Sequence, residues 1–140
     1  MMYPIDLVAP MSKDLTDFGF QGLTNPEQVN EVMGEVAQQG TTLLVVNSVC
    51  GCAAAMARPG VKLSLTNSKR PERLTTVFAG VDKAATEQAR HYLLPYPPSS
   101  PSIALFKDGN LVHFIERHQI EGRTAELIAD NLRMAYEKYC

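Results

Sequence analysis

The stretch Thr41-Thr42-Leu43-Leu44-Val45-Val46-Asn47 is almost continuously apolar and rich in β-branching, and it leads through Ser48-Val49 into Cys50-Gly51-Cys52. A run without polar alternation predicts a central strand covered on both faces, because a strand with one wet face would alternate. The small residues Ala53-Ala54-Ala55-Met56-Ala57 then favour a helix whose first turn holds the cysteines. Two thiols are therefore expected at a strand-to-helix junction.

The thiolate is the nucleophilic form of cysteine, and a helix N-terminus favours it through free N–H groups and the helix dipole. Cys50 is accordingly the expected attacking thiol, with the small or hydrogen-bonding residues Asn47, Ser48 and Gly51 around it. Cys52 can attack a mixed disulfide formed on Cys50, releasing the bound thiol and leaving a Cys50–Cys52 disulfide. With one intervening residue that ring is tight and is expected to be strained and easily reduced. Gly51 is expected to permit the turn by adopting dihedrals other residues avoid. Two other readings of a CxC pair remain open here: buried, inert cysteines, or two soft metal ligands. Against the second, Cys140 and three scattered histidines offer no paired spacing.

Elsewhere the chain alternates helix and strand signals. Asn25-Pro26 reads as an N-cap and first helical position, and Val29, Val32, Met33, Val36 and Ala37 predict a helix over 26–38. A short helix is expected around 13–18. Pro59-Gly60 should kink or interrupt the helix that follows the cysteines. A strand over 74–80 and a helix capped by Asp82, with Ala85, Ala89, Tyr92 and Leu93 inward, come next. Pro95 to Pro101 reads as an ordered loop. Two strands, 102–106 and 111–115, flank an Asp108-Gly109 hairpin turn. A last helix is expected over 122–139.

With 140 residues, one domain with one core is expected. Thirteen Lys and Arg against 15 Asp and Glu leave no basic footprint for nucleic acid. Met1-Met2-Tyr3-Pro4-Ile5-Asp6 lacks the basic and apolar regions of a signal peptide, and no apolar run could span a membrane. These features point to the cytoplasm, where paired cysteines are read as catalytic before they are read as staples.

A βαβ unit followed by a ββα unit is the thioredoxin arrangement. The expected fold is thus α/β and thioredoxin-like: a central mixed four-stranded sheet flanked by helices over 41–140, with an N-terminal helical extension over 1–40. In thioredoxin-like proteins the residue before the third core strand is a cis-proline against the cysteines, a place taken here by Ser100-Pro101. The resemblance narrows with Val45-Val46-Asn47-Ser48-Val49-Cys50-Gly51-Cys52-Ala53-Ala54, Ala57-Arg58-Pro59-Gly60-Val61 and Thr76-Val77-Phe78-Ala79-Gly80. It extends through Tyr96-Pro97-Pro98-Ser99-Ser100-Pro101-Ser102-Ile103-Ala104-Leu105 and Val112 to Arg123. On these stretches the chain resembles the bacilliredoxins, a thioredoxin-like bacterial family with CGC in place of CxxC.

The resemblance implies that Cys50 attacks the sulfur of bacillithiol, a low-molecular-weight thiol, in a mixed disulfide with a client protein. The client is freed, and bacillithiol passes to Cys50. Cys52, a second bacillithiol or a flavin-dependent reductase would then regenerate the enzyme. Bacillithiol is thus implied as co-substrate, with no bound cofactor. Arg123 or His118, after the hairpin, could attract its carboxylates, although a solvated role is the plainer reading of both. Glu116 and Arg117 read as a sheet-edge pair. Cys140 reads as a free secondary thiol at a mobile terminus. The alternative activity is that of a general dithiol oxidoreductase or weak disulfide isomerase. One departure stands out: thioredoxins keep a buried acid near their cysteines, and Leu43–Val46 supply none.

Overall fold

The computed structural model describes residues 3–140. Its elements in chain order are α1 (Ile5–Thr16), β1 (Gln21–Gly22), α2 (Pro26–Gly34), β2 (Thr41–Asn47), α3 (Arg58–Ser64), β3 (Arg73–Phe78), α4 (Lys83–His91), β4 (Ser102–Lys107), β5 (Asn110–Ile115), α5 (Arg117–Ile120) and α6 (Ala125–Tyr139). The strands form one sheet in the order β1-β3-β2-β4-β5. Strand β2 pairs in parallel with β3 and antiparallel with β4, and β4 pairs antiparallel with β5.

Period-two geometry divides the central strands between two cores. Leu43 and Val45 of β2, with Ile103 and Leu105 of β4, face a cluster closed by Leu15, Val61, Ile128, Leu132 and Tyr136. Their neighbours Leu44, Val46, Ala104 and Phe106 face the opposite cluster, with Val29, Met33, Ala85, Ala89 and Leu93. Every residue of β2 is buried, as a strand covered by helices on both faces must be. Helices α1, α3 and α6 cover one face; α2 and α4 cover the other.

Several expectations hold in detail. Asn25 caps α2, its side chain accepting the Gln28 N–H at 2.9 Å, with Pro26 at the first turn. Asp108 and Gly109 both have positive φ, +51° and +83°, the left-handed pair a tight two-residue hairpin requires.

Others are corrected. The sheet has five strands, since Gln21–Gly22 pairs in parallel with Thr75–Thr76, so the segment expected as a purely helical extension supplies an edge strand. Helix α1 begins at Ile5 and ends at Thr16; the expected span of 13–18 caught only its last turn, because Pro10 lies inside it and reads as a breaker. Helix α2 stops at Gly34, a poor helix former, and a 3₁₀ turn over Val36–Gln38 buries Ala37. Asp82 occupies the N-cap of α4 but its side chain makes no capping bond. Thr124 caps α6 by accepting the Leu127 N–H at 3.1 Å, which sets its start at Ala125.

The irregularity expected at Pro59-Gly60 occurs one turn earlier. Residues Ala53–Ala57 form a π-helical turn, and Arg58–Ser64 continue as regular α-helix with Pro59 in the first turn. Proline lacks an N–H and its ring crowds the carbonyl four residues back, so the turn before it widens. Gly60 has a packing role instead: a Cβ there would stand 2.8 Å from Ile128 Cγ2 and 3.1 Å from the Ala125 carbonyl oxygen. Its absence lets α3 and α6 close together beneath the cysteines.

Candidate active site

Strand β2 ends at Asn47, and the next three residues make the turn into the cysteines. The Asn47 side-chain oxygen accepts the Ser48 N–H at 2.8 Å, and Ser48 Oγ accepts the Cys50 N–H at 3.3 Å. The Cys50 carbonyl accepts the N–H groups of Ala53 and Ala54 at 3.1 and 3.3 Å, so Cys50 opens the helix. Cys50 and Cys52 are joined by a disulfide, with their Cα atoms 5.5 Å apart. Both cysteines are half-buried, and Cys52 packs with Met56 against the cluster containing Ala57 and Ile120.

Gly51 does not act as expected. Its backbone is helical, outside the positive-φ region, and apart from its chain neighbours and the helix's own backbone no heavy atom lies within 4 Å of where a Cβ would stand. Conformational freedom is therefore not what glycine supplies here. The residue is exposed, and beyond its two cysteine neighbours its missing side chain leaves open space.

The polar group behind the turn is one the sequence reading passed over. Arg58, only 4% exposed, donates from Nη1 to Asn47 Oδ1 at 2.9 Å and to the Ser48 carbonyl at 3.0 Å. Its Nε donates to Asp14 Oδ2 of α1 at 3.0 Å, and Lys62 pairs with the other Asp14 oxygen. Burial raises the Asp14 pKa, but the hydrogen bonds and charges of Lys62 and Arg58 outweigh it and hold the carboxyl below its usual range. Asn47 also donates from Nδ2 to the Met11 carbonyl at 3.1 Å, so α1 is stitched to the cysteine turn twice. An Arg-Pro pair at a helix start carries no local signal for such a contact, since its partners lie 10 to 44 residues away.

Pro101 is buried and the Ser100–Pro101 peptide is cis. Val46 pairs with Ser102, so one further step of that register sets Pro101 alongside Asn47 at the cysteine end of the sheet. The segment before it is held by α5. The Arg117 N–H donates to Ser99 Oγ at 2.7 Å and its Nη1 to the Ser100 carbonyl at 3.1 Å, while Nε pairs with Glu121. Glu116 and Gln119 close a capping box on that helix. Residues 117–120 are thus a capped helical turn where a loop was expected, and Glu116 and Arg117 are not a sheet-edge pair.

His118 and Arg123 are both exposed but belong to different clefts. His118 lines one of about 460 Å³ with Arg90, Pro97, Ser99 and Ser100. Arg123 lines another of about 240 Å³ with Gln119, Leu127 and Asn131. Cys140 is exposed at the end of α6 and lies near Thr41, at the start of β2 and the opposite end of the sheet from Cys50. Partial burial pushes its thiol pKa up. Cys140 is therefore neither activated nor within reach of the disulfide. Among the described residues no three His, Cys, Asp or Glu side chains converge as a metal site would need.

Residues 3–140 match a family model described as "Disulphide isomerase". A bacilliredoxin of Cytophaga hutchinsonii is 61% identical over 98% of this chain and 99% of its own length. A bacilliredoxin of Halalkalibacterium halodurans is 51% identical over 99% of this chain and 94% of its own. Among solved structures, a thioredoxin of Malassezia sympodialis superposes with a TM-score of 0.56 at 14% identity, covering 86% of this chain and 90% of that one. That likeness establishes the thioredoxin-like fold. The bacilliredoxin relatives, together with the Cys50–Cys52 disulfide at a strand-to-helix junction, support a thiol–disulfide oxidoreductase. On matches that run end to end at half to three-fifths identity, the chain belongs to the bacilliredoxin family.

Proposed function

We propose that this protein removes bacillithiol from bacillithiolated client proteins in the cytoplasm, with Cys50 as the attacking thiol and Cys52 as the resolving one. The observation that carries the reading is the unequal setting of the two sulfurs. Cys50 opens the helix, where negative charge is favoured, while Cys52 packs against the core cluster two residues on. Gly51, exposed between the two cysteines, adds no side chain in the way of an incoming mixed disulfide.

In the reaction, the Cys50 thiolate attacks the bacillithiol sulfur and the client thiolate leaves. The Cys52 thiolate then attacks Cys50, expelling bacillithiol and forming the Cys50–Cys52 disulfide. Two electrons, from two bacillithiol molecules that leave joined as their disulfide or from a flavin-dependent reductase, return both cysteines to thiols. Bacillithiol enters as co-substrate.

The deciding experiment incubates Cys52→Ala protein with a bacillithiol-modified client and analyses it by mass spectrometry. The expected result is free client and one bacillithiol on Cys50. Release of client by Cys50→Ala at the native rate would refute the assignment. The family model's description favours a second reading, a general dithiol oxidoreductase or weak isomerase. Faster refolding of a scrambled-disulfide protein than debacillithiolation of a client would select it.

A further inference from the structure

We infer that Arg58 is a positioning residue for Cys50, its buried guanidinium locking the Asn47–Ser48 turn and supplying a fixed positive charge that favours the Cys50 thiolate. This rests on the reading above in one respect, that Cys50 is the attacking thiol.

A buried charge is tolerated only where it is paired and hydrogen-bonded. Arg58 meets that condition with three acceptors, two of which, Asn47 Oδ1 and the Ser48 carbonyl, belong to the turn that carries Cys50. The hydrogen bonds continue from there. Asn47 Oδ1 also takes the Ser48 N–H, and Ser48 Oγ takes the Cys50 N–H, so an unbroken sequence of bonds links the guanidinium to the Cys50 backbone. The planar fork of arginine fixes two of these directions at once, which an ammonium would not do.

The charge balance points the same way. Arg58 and Lys62 share one carboxylate, Asp14, leaving a net positive group under the turn. Lys13 and Asp17 of the α1 end line the same cleft as Asp14 and Lys62, Asp82 lies in the β3–α4 turn with its carboxyl pKa pushed up by burial, and Arg90, Glu116, Arg117, His118 and Glu121 line the cleft beyond the Pro101 segment. Among the described residues, Arg58 is the charged side chain that hydrogen-bonds residues 47–50. An opposite charge fixed near a thiol lowers its pKa, and an acid paired to that charge partly cancels the effect.

The test follows iodoacetamide alkylation of Cys50 against pH in reduced, full-length protein, read by mass spectrometry of the Cys50 peptide. Neither bacillithiol nor client is present, so failure of the debacillithiolation reading leaves this measurement intact. Arg58→Gln is expected to raise the midpoint by about one unit, and Arg58→Lys, which keeps charge but loses the fork, by less. The isosteric Asp14→Asn removes the opposing charge and is expected to move the midpoint down. A folded Arg58→Gln protein with an unchanged midpoint overturns the inference. So does an Asp14→Asn midpoint at or above that of the native protein, which decides the matter if Arg58→Gln does not fold. A merely structural arginine would not shift the midpoint in opposite directions in these variants.

Discussion

Arg58 and Asn47 meet at 2.9 Å beneath the redox disulfide, and the same Asn47 oxygen accepts the N–H of Ser48. One amide therefore joins the end of the central strand, the cysteine turn and the helix that follows. Its own Nδ2 reaches back to α1 through the Met11 carbonyl.

Asn47→Ala removes the acceptor for a buried guanidinium N–H and for the Ser48 N–H. Leaving buried donors unpaired costs about 1–3 kcal/mol each, and the variant is expected to lose about that much stability in urea unfolding. A change under about 0.5 kcal/mol, the scale of an ordinary surface substitution, would contradict the role given to this amide.

Gly51→Ala has the opposite expectation. The backbone there is helical and the Cβ position is open, so stability should hold or rise, by up to about 1 kcal/mol from helix propensity alone. Debacillithiolation is expected to slow, since the added methyl group stands on the exposed residue between the two sulfurs. Thermal unfolding and turnover, measured on the same preparation, separate the two effects.

At Gly60 the same substitution meets a wall. A methyl group there presses on Ile128 and on the Ala125 carbonyl, which is backbone and cannot rotate away. Overpacking of this kind typically costs about 1–3 kcal/mol, more than the helix propensity gained. A lowered Tm for Gly60→Ala checks it.

Asp14 ties stability to pH. Its folded pKa lies below the ordinary value of 3.8, so its ionised form stabilises the fold at pH above that value. The contribution is lost as pH falls through the lowered folded pKa. The stability gap between the native protein and Asp14→Asn is therefore expected to be widest near neutrality and to close below about pH 4. A gap independent of pH would show that the carboxylate charge is not what Arg58 and Lys62 stabilise.

Arg117→Ala should act on the Pro101 segment more than on stability. Its side chain is well exposed and its ion pair with Glu121 is a surface one, worth little. The bond to the Ser100 carbonyl is what the variant removes. Client turnover is expected to fall while the urea midpoint moves by no more than about 0.5 kcal/mol equivalent. Glu121→Ala, which keeps the Ser100 contact, should leave turnover near native.

Much of this molecule is written locally. The unbroken apolar run to Asn47 dictates a strand buried on both faces, Asp108-Gly109 dictates a tight hairpin, and Asn25-Pro26 dictates a helix start, because each depends on neighbours within a few residues. The position of Cys50 and Cys52 at a strand-to-helix junction follows from the same signals. Where local signals misled, a tertiary demand outweighed them. Pro10 stays inside α1 because Val8 and Leu15 are buried on either side of it. Pro59 is accommodated by a widened turn before it.

What surrounds the sulfurs was decided by the tertiary structure. Asp14 reaches Arg58 across 44 residues, Arg117 reaches Ser100 across 17, and Gln21–Gly22 finds β3 more than 50 residues on. No periodicity or cap encodes such contacts, since each depends on where whole helices and strands come to rest. The cysteines and their order come from the sequence itself. The buried charge that holds their turn appears only when α1 and α3 pack on one face of the sheet and a guanidinium shut off from water must find its acceptors there.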